Sequence, residues 1–292
     1  MTTPYAKRAL DVTFELGEGE FGESGANSVK LSGLRVSSRI IKAGGPSMGT
    51  AQLQIYGMTL DKMNQLSTLG LRPTTTRKNT IMIDAGNKGG LLSSVFLGNI
   101  TNAWFDGQAA PEVPFQVLAH VGGFDAVKPI APTSYKGSAN AADILSGLAA
   151  KMGKSFENNG VSVVLSNPYY TGSARDQALK CVKEAGIQWN GLDNKTLAIW
   201  PSGQSRGGSI ALVSKDTGME GYPTFTSQGI TISTLFNPSI GFGQKIKVES
   251  DLTGANGEWV VYALNYDLDA EFPQGRWHMT VSASRPGYAV VA

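Results

Sequence analysis

Both ends of the sequence alternate between apolar and polar residues with a period of two. Before residue 122 the pattern runs through LDVTFEL, SVKLSGLRVSSRII, TAQLQIYG, NTIMIDAG, LLSSVFLGNI and VPFQVLAHV. After residue 204 it returns in SIALVS, GITISTLF, KIKVES, EWVVYALNYDLDA and WHMTVSAS. Successive side chains of a strand point to opposite faces, so this period predicts half-buried strands. We therefore expect a mainly β protein.

The composition fits many short strands that are joined by turns. Glycine accounts for 36 of the 292 residues, whereas it makes up about 7% of an average protein. Charged residues make up only 16% of the chain, against the usual figure of about a quarter. A surface with so few charges is typical of a protein that is covered by other proteins.

The charge balance and the hydropathy exclude several classes of function. The 25 Lys and Arg residues nearly balance the 23 Asp and Glu residues, and none of them form a long basic run. Such a chain lacks the clustered cations that neutralise nucleic-acid phosphates, so we expect no sequence-independent nucleic-acid binding. No apolar run is long enough to span a bilayer, so we expect no membrane anchor. The start of the chain has no apolar leader and Cys181 is the single cysteine, which favours synthesis in a cytoplasm.

The middle of the sequence has a different pattern. SANAADILSGLAAKMG and SARDQALKCVKEAG carry apolar residues at helical spacing, and each helix ends at a glycine, Gly153 or Gly186. A strand-like segment follows each helix, which predicts a duplicated helix-strand unit. We thus predict three domains: a β domain at 1–122, a small α+β domain at 123–203 and a second β domain at 204–292. One helix near 59–69 interrupts the first β domain. Thr59 is its predicted N-cap, Leu60, Met63 and Leu66 share one face, and Gly70 is its predicted stop.

Two glycine motifs resemble catalytic or cofactor-binding signatures. GEGEFG, residues 17–22, matches a dinucleotide fingerprint, but a strand rather than a helix is expected after it, and Glu15, Glu18, Glu20 and Glu23 would repel a phosphate. We interpret this segment as an acidic loop. GQSRG, residues 203–207, matches the nucleophile elbow of serine hydrolases, and Ser205 with His278 and one of Asp251, Asp267 or Asp269 could form a triad. A strand is again expected to follow, so a flexible linker is the preferred interpretation.

The remaining reactive residues form no pattern of known chemistry. His120 and His278 lie in predicted strands without further ligands nearby in sequence, so we predict no metal site. Cys181 lies on the apolar stripe of its helix and is expected to be buried. Asp267 and Asp269 share a strand face, as a glycosidase pair would, although an exposed strand face is the more common reason. We therefore predict neither catalytic residues nor a cofactor.

Aromatic residues leave one further alternative open. A glycan-binding β protein could use exposed tryptophans as platforms, and the chain has five of them: Trp104, Trp189, Trp200, Trp259 and Trp277. All five lie in or beside predicted strands, where packing in a core or an interface is the more common role.

Three stretches resemble the baseplate hub proteins of contractile-tailed bacteriophages, which are related to the hubs of R-type pyocins and other contractile injection systems. The first is residues 93–123, and the second is the helix-strand region that ends AGIQWNGLDNKTLAIWPSG. The third runs from LVSKDTGMEGYPTFTSQG through FNPSIGFGQKIKVES to the closing strand after GRW. The residues that match the hub pattern there are Ser214, Asp216, Thr217, Gly218, Gly221, Tyr222, Pro223, Asn237, Pro238, Gly243, Glu249, Ser250, Gly275 and Trp277.

The resemblance implies a fold and a role. It implies two tube-type β-barrel domains around the α+β domain, and a homotrimer whose six barrels adapt the sixfold tail tube to the threefold central spike. The implied partners are other copies of the chain, the tail tube protein, the spike, and baseplate wedge or tape-measure proteins. DNA would pass through the channel without specific binding, and the acidic loop Glu15 to Glu23 could face that channel. The matching residues Gly221, Tyr222, Pro223, Asn237, Pro238 and Gly243 are structural turn residues under this interpretation.

The implied location is the tail baseplate of a virion that is assembled in the bacterial host cytoplasm. A hub component of a type VI secretion system or a pyocin remains an alternative. A serine hydrolase that uses Ser205 and His278, and a glycan-binding β protein, are less favoured alternatives.

Overall fold

The computed structural model describes residues 6–21, 25–43, 47–67, 79–127, 129–191 and 195–288. Within these residues the chain is mainly β, as predicted, with twenty strands and four α-helices. The strands are β1 (Arg8–Glu15), β2 (Ser28–Leu31), β3 (Arg35–Ala43), β4 (Thr50–Tyr56), β5 (Thr80–Asn87), β6 (Ser93–Phe105), β7 (Phe115–His120), β8 (Thr133–Ser134), β9 (Ser138–Asn140), β10 (Ser155–Asn158), β11 (Val164–Ser166), β12 (Tyr169–Tyr170), β13 (Ile187–Asn190), β14 (Thr196–Pro201), β15 (Ala211–Ser214), β16 (Met219–Thr226), β17 (Gly229–Leu235), β18 (Lys245–Glu249), β19 (Gly257–Ala270) and β20 (Trp277–Ser284). The helices are α1 (Leu60–Leu66), α2 (Gly123–Val127), α3 (Ala141–Lys151) and α4 (Ala174–Ala185), with short 3-10 turns at Gly107–Ala109, Lys215–Thr217 and Thr253–Ala255.

The chain divides into two compact units that differ from the three predicted domains. The first unit comprises Met1–Ile41, Thr50–Val121 and Tyr266–His278. The second comprises Lys42–Gly49, Gly122–Asn265 and Met279–Ala292. The end of β19 and the hairpin that follows β19 thus belong to the first unit, although they are far in sequence from the other residues of that unit. The division into domains at 1–122, 123–203 and 204–292 stays a prediction.

The first unit is an antiparallel sheet with one buried face. Its strands follow the order β3, β4, β7, β6, β5, β1, β2, and the end of β19 lies beside β3. Burial alternates along β1, β4, β5 and β7 as the period of two requires; on β1 the buried side chains are Leu10, Val12 and Phe14. Phe14 meets Phe115 of β7 edge to face, with 6.5 Å between ring centroids. Among the described strands the order ends at β2 without returning to β3, so a closed barrel is not confirmed here.

Helix α1 is shorter than the sequence predicts. It begins after Thr59, whose side chain makes no capping hydrogen bond, and it ends at Leu66. Met63 and Leu66 are buried, but Leu60 is 60% exposed and so does not share the buried face that its spacing predicts. Gly70, the predicted stop, lies outside the described residues.

The second unit combines an α+β layer with paired strands from the C-terminal part of the chain. In the α+β layer, α3 and α4 pack on a three-stranded sheet of order β10, β14, β13. Among the other strands of this unit, β16 pairs with β17, β15 pairs in parallel with β18, and β18 pairs with β19. Their buried side chains include Ile230, Ile232, Ile246 and Val248.

The predicted duplication of a helix-strand unit is not confirmed. Both helices end at a glycine with positive φ, Gly153 and Gly186, and both are followed by a strand. However, the strands after the two helices pair differently. After α4, β13 pairs with the strand that follows it, β14. After α3, β10 pairs in parallel with β14, and the strand that follows β10, β11, pairs with β9. The two segments therefore follow different paths because their second strands take different partners.

Candidate functional site

The acidic segment forms the hairpin between β1 and β2. Its backbone is closed by hydrogen bonds from Leu16 N to Asn27 O (2.8 Å) and from Phe21 N to Ala26 O (2.7 Å). The side chains of Glu15, Glu18 and Glu20 are exposed, and Glu23 lies outside the described residues. Strand β2 follows the hairpin, so the helix N-terminus that a dinucleotide fingerprint needs is absent from this described segment. The described part of this hairpin thus carries three exposed carboxylates next to β2, the last strand of the sheet order.

The GQSRG segment is not a nucleophile elbow. Ser205 is followed by irregular backbone with bends at residues 207 and 208 and then by β15, whereas an elbow needs a strand-turn-helix. The flexible linker stays a prediction, but the segment makes several contacts. Arg206 makes a two-pronged ion pair with Glu157, and its backbone N–H donates to Gly243 O at 2.7 Å. This part of the chain is held by specific contacts.

The carboxylates of β19 brace a hairpin. Asp267 and Asp269 share one face, as the alternation predicts, but Arg276 lies between them, with Nη1 3.1 Å from Asp267 Oδ1 and Nε 3.0 Å from Asp269 Oδ2. Burial raises the pKa of Asp269, but hydrogen bonds from Arg276 and Ser37 outweigh it and lower the pKa below its ordinary value. Asp269 therefore lacks the raised pKa of the general acid in glycoside hydrolysis, and Arg276 bonds to both carboxylates within the chain.

The other reactive side chains occupy structural positions. His120 ends β7 with Nδ1 3.1 Å from Thr101 Oγ1, and burial lowers its pKa. His278 lies half-buried in β20. Cys181 is fully buried, as predicted, and burial raises the pKa of its thiol to about 11. Among the described residues, no group of three or more His, Cys, Asp or Glu side chains is placed to hold a metal ion.

The tryptophans divide into four that are buried and one that is exposed. Trp189, Trp200, Trp259 and Trp277 are between 3% and 6% exposed and pack in the interior. Trp104, near the end of β6, is 41% exposed. Of the five tryptophans that a glycan-binding protein could use as platforms, only Trp104 is thus exposed enough to contact a sugar.

The Gly-Tyr-Pro element lies inside a strand, not between strands. The register between β16 and β17 shifts between Glu220 and Thr224, so Gly221, Tyr222 and Pro223 form a bulge in β16. Gly221 has a φ of 67°, which glycine adopts readily. β16 lies at the end of the strand order, where a proline removes no hydrogen bond from the ladder.

The Asn-Pro and Gly-Phe-Gly elements connect β17 to β18. Ile240 N donates to Asn237 O at 3.2 Å, which closes a turn with Pro238 in its second position. Gly243 follows with a φ of 78°, and its N–H donates to Val261 O at 2.9 Å. A side chain at Gly243 would come within 2.7 Å of the Trp200 ring.

A surface cavity in the first unit was not predicted. It has a volume of about 440 Å³ and is lined by residues of both signs. Asp11 and Asp84 are cross-strand neighbours on β1 and β5, and Lys30 lies 2.7 Å from Asp11. Two carboxylates directly opposite each other repel, and Lys30 relieves that repulsion. No sequence pattern signals this cluster, because it depends on the strand register.

No helix among the described residues has both the length and the hydropathy that a bilayer crossing requires.

Solved structures with a similar fold are proteins of phage tails and related assemblies. The tail protein from Neisseria meningitidis MC58 superposes with a TM-score of 0.64 at 10% identity, covering 96% of this chain and 97% of that chain. The 43 kDa tail protein of prophage MuSo2 from Shewanella oneidensis gives a TM-score of 0.58 at 10% identity, with 97% of each chain covered. The E. coli c3393 protein, a type VI secretion component with structural similarity to the T4 tail proteins gp27 and gp5, gives 0.60 at 12% identity over 88% of this chain and 76% of that chain. At these identities the likeness concerns the fold.

The family assignment comes from the sequence itself. The model of the baseplate hub gp41 family matches residues 9–274, so the chain belongs to that family of phage tail proteins. No curated protein matches the sequence. The resemblance to baseplate hubs is thereby confirmed, and the family is a structural one.

Proposed function

We propose that three copies of this chain form a ring in the baseplate that joins the sixfold tail tube to the threefold central spike. The observation that carries this proposal is the match to the baseplate hub family over residues 9–274. In the proposed ring each chain supplies two strand-rich regions, and three chains supply six, which matches the symmetry of the tube.

The arrangement of elements along the chain supports this proposal. Strand-rich segments occur at both ends of the chain, β1 to β7 and β15 to β20. The helices α2, α3 and α4 lie between them in sequence. We interpret the two strand-rich segments as the tube-type barrel domains, with the α+β layer as an insertion between them. That each strand-rich segment closes into a barrel is part of this proposal.

The proposed partners follow from the position of the ring. One face contacts the first ring of the tail tube protein, and the opposite face seats the spike, with wedge or tape-measure proteins beside it. The chain is assembled in the host cytoplasm and becomes part of the virion tail. The likeness to the c3393 protein, a type VI secretion component, favours a hub of a type VI secretion system as the alternative function.

Copy number and position test the ring. Mass measurement of the purified chain, alone and with the tube protein, should give a species of three times 30.8 kDa. Cryo-electron microscopy of the intact tail should place three copies between tube and spike. Six copies per tail, or a location outside the tube axis, would contradict the proposal.

We also assign the acidic hairpin a role in the channel. Exposed Glu15, Glu18 and Glu20, with Glu23 beside them in sequence, would repel DNA phosphates and keep the passing DNA from binding. Changing Glu18 and Glu20 together to Gln should slow DNA ejection, and changing both to Lys should slow it further. Both variants should form particles in normal yield, which controls for folding. Equal ejection rates for all three proteins would disprove the channel role but not the ring.

A further inference from the structure

The segment between β14 and β15 carries an ion pair with matched geometry. Arg206 Nε lies 3.0 Å from Glu157 Oε1, and Arg206 Nη2 lies 2.6 Å from Glu157 Oε2. Two parallel hydrogen bonds of this kind fix the guanidinium in direction as well as in position. The two side chains are 19% and 36% exposed, so solvent screens the pair only in part. Hydrogen bonds from Arg206 lower the pKa of Glu157.

Backbone contacts hold the same segment from two sides. On one side, Gly207 N donates to Asn159 Oδ1 at 2.9 Å, and Asn159 follows β10 of the α+β layer. On the other side, Arg206 N donates to Gly243 O at 2.7 Å, and Gln244 Nε2 donates to Gly207 O at 3.3 Å. The segment is therefore bonded to the α+β layer and to the turn between β17 and β18 together.

An apolar contact lies directly beside these hydrogen bonds. Trp200 of β14 meets Phe242 edge to face, with 6.2 Å between ring centroids, and Trp200 is 3% exposed. Gly243 lies under the same indole, where a side chain would come within 2.7 Å of the ring. Close packing of this kind depends on the turn being held at a fixed distance.

We propose that residues 202–210 act as a latch that locks the α+β layer to the C-terminal strands of the second unit. In the closed state the Glu157–Arg206 pair holds the segment, the segment holds the β17–β18 turn, and the turn supports Trp200. When the ion pair is removed, the segment opens locally while the helices and strands on either side stay folded. The latch is independent of the proposed ring, since all of its contacts lie within one chain.

Trypsin provides a direct test because the latch residue is itself a cleavage site. Cleavage between Arg206 and Gly207 requires the Arg206 side chain to leave Glu157 and enter the protease, so its rate reports the open population. We expect Glu157→Ala to raise the cleavage rate at this bond about tenfold or more, since one lost ion pair of this geometry shifts an equilibrium by about that factor. Asn159→Ala, which removes a single hydrogen bond, should raise the rate to a smaller extent. Intact-mass analysis identifies the bond that is cut.

Glu258→Ala is the matched control. It breaks the Lys245–Glu258 pair, 2.9 Å long, in the same unit and removes none of the hydrogen bonds named for the segment, so it should leave cleavage at Arg206 unchanged. The circular dichroism of all variants should match that of the unaltered chain. The latch is wrong if Glu157→Ala and Asn159→Ala both leave the cleavage rate at Arg206 unchanged, or if Glu258→Ala raises it equally. Simultaneous cleavage at many sites in both variants would also overturn it, because the opening would then be global.

Discussion

Glycine serves opposite purposes at two positions of the second unit. Gly243 combines a φ of 78° with a neighbour, Trp200, that leaves no room for a side chain. Gly147 lies in the middle of α3, is exposed, and has open space where a Cβ would go. The first position requires glycine, whereas the second only tolerates it.

Substitution by alanine should therefore change stability in opposite directions at these two sites. Gly243→Ala should lower the free energy of unfolding by roughly 2 kcal/mol or more, through backbone strain and displacement of Trp200. Gly147→Ala should raise it by about 0.5–1 kcal/mol, because alanine loses less backbone entropy in a helix. Urea unfolding of both variants measures the difference. Equal shifts of the same sign would contradict this explanation.

A second prediction at the residue scale concerns Arg276, which lies between Asp267 and Asp269. Arg276→Gln should destabilise the chain by about 1–3 kcal/mol, because Asp269 has a side chain only 10% exposed and would lose its charged partner. Lys247→Gln is the control, since its pair with Glu249 is more than half exposed on both sides and such pairs contribute less than about 1 kcal/mol. Urea midpoints of the two variants compare these effects. A larger loss for Lys247→Gln would exclude the brace.

At the scale of elements, helix α4 has a complete N-terminal cap. Ser173 Oγ accepts from Asp176 N at 3.1 Å, and Asp176 Oδ2 accepts from Ser173 N at 3.2 Å. Two backbone N–H groups that the helix leaves without partners are thereby satisfied. The sequence predicts that a helix opens near this SAR tripeptide, and the reciprocal cap sets its first residue.

Removing this cap should destabilise α4 measurably. Ser173→Ala should cost about 1 kcal/mol, whereas Ser173→Asp should keep most of the stability because aspartate also caps well. Thermal unfolding of both variants, monitored at the helix signal, checks this. A loss with Ser173→Asp as large as with Ser173→Ala would show that the hydroxyl serves another purpose.

Strand β16 shows how an element avoids unwanted pairing. Its bulge at Gly221, Tyr222 and Pro223 interrupts the hydrogen-bonding edge at the end of the strand order. Edges that carry a bulge or a proline are poor templates for another strand. In this structure the Gly-Tyr-Pro element shapes a strand edge, a role that local turn patterns could not distinguish from a loop.

At the scale of the whole molecule, stability should fall in acid in two steps. The folded-state pKa of His120 is lowered by burial, so its contribution is present above its unfolded pKa of about 6.5 and is lost as the pH falls below it. Hydrogen bonds lower the pKa values of Glu157 and Asp269 in the fold. Their contribution is present above about pH 4 and is lost as the pH falls through the folded-state values.

Urea unfolding between about pH 7 and pH 3 should show both steps. A variant with Glu157→Gln and Asp269→Asn should start less stable and lose less stability below about pH 4, because two of the titrating groups are gone. His120→Gln should flatten the profile near about pH 6 and leave the acid step unchanged. An acid step of equal size in the double variant would mean that other carboxylates dominate.

The sequence by itself determined most of the strands at the two ends of the chain and the helices α3 and α4. The period of two placed Leu10, Val12 and Phe14 on one face of β1, and the helical spacing placed Cys181 in the interior. These features depend on neighbours within a few residues, so the local pattern contains them. The match of the chain to the hub family likewise rests on its sequence.

Only the tertiary structure decided which segments meet. The pairing of β11 with β9, the position of Asp11 opposite Asp84, and the ion pair of Arg206 with Glu157 join residues that are far apart in sequence. Strand register and partner choice are set by burial of whole faces and by turn geometry, and a one-residue slip would move every side chain to the other face. The alternation of apolar and polar residues specifies which face of a strand is buried, but it does not specify which strand pairs with it.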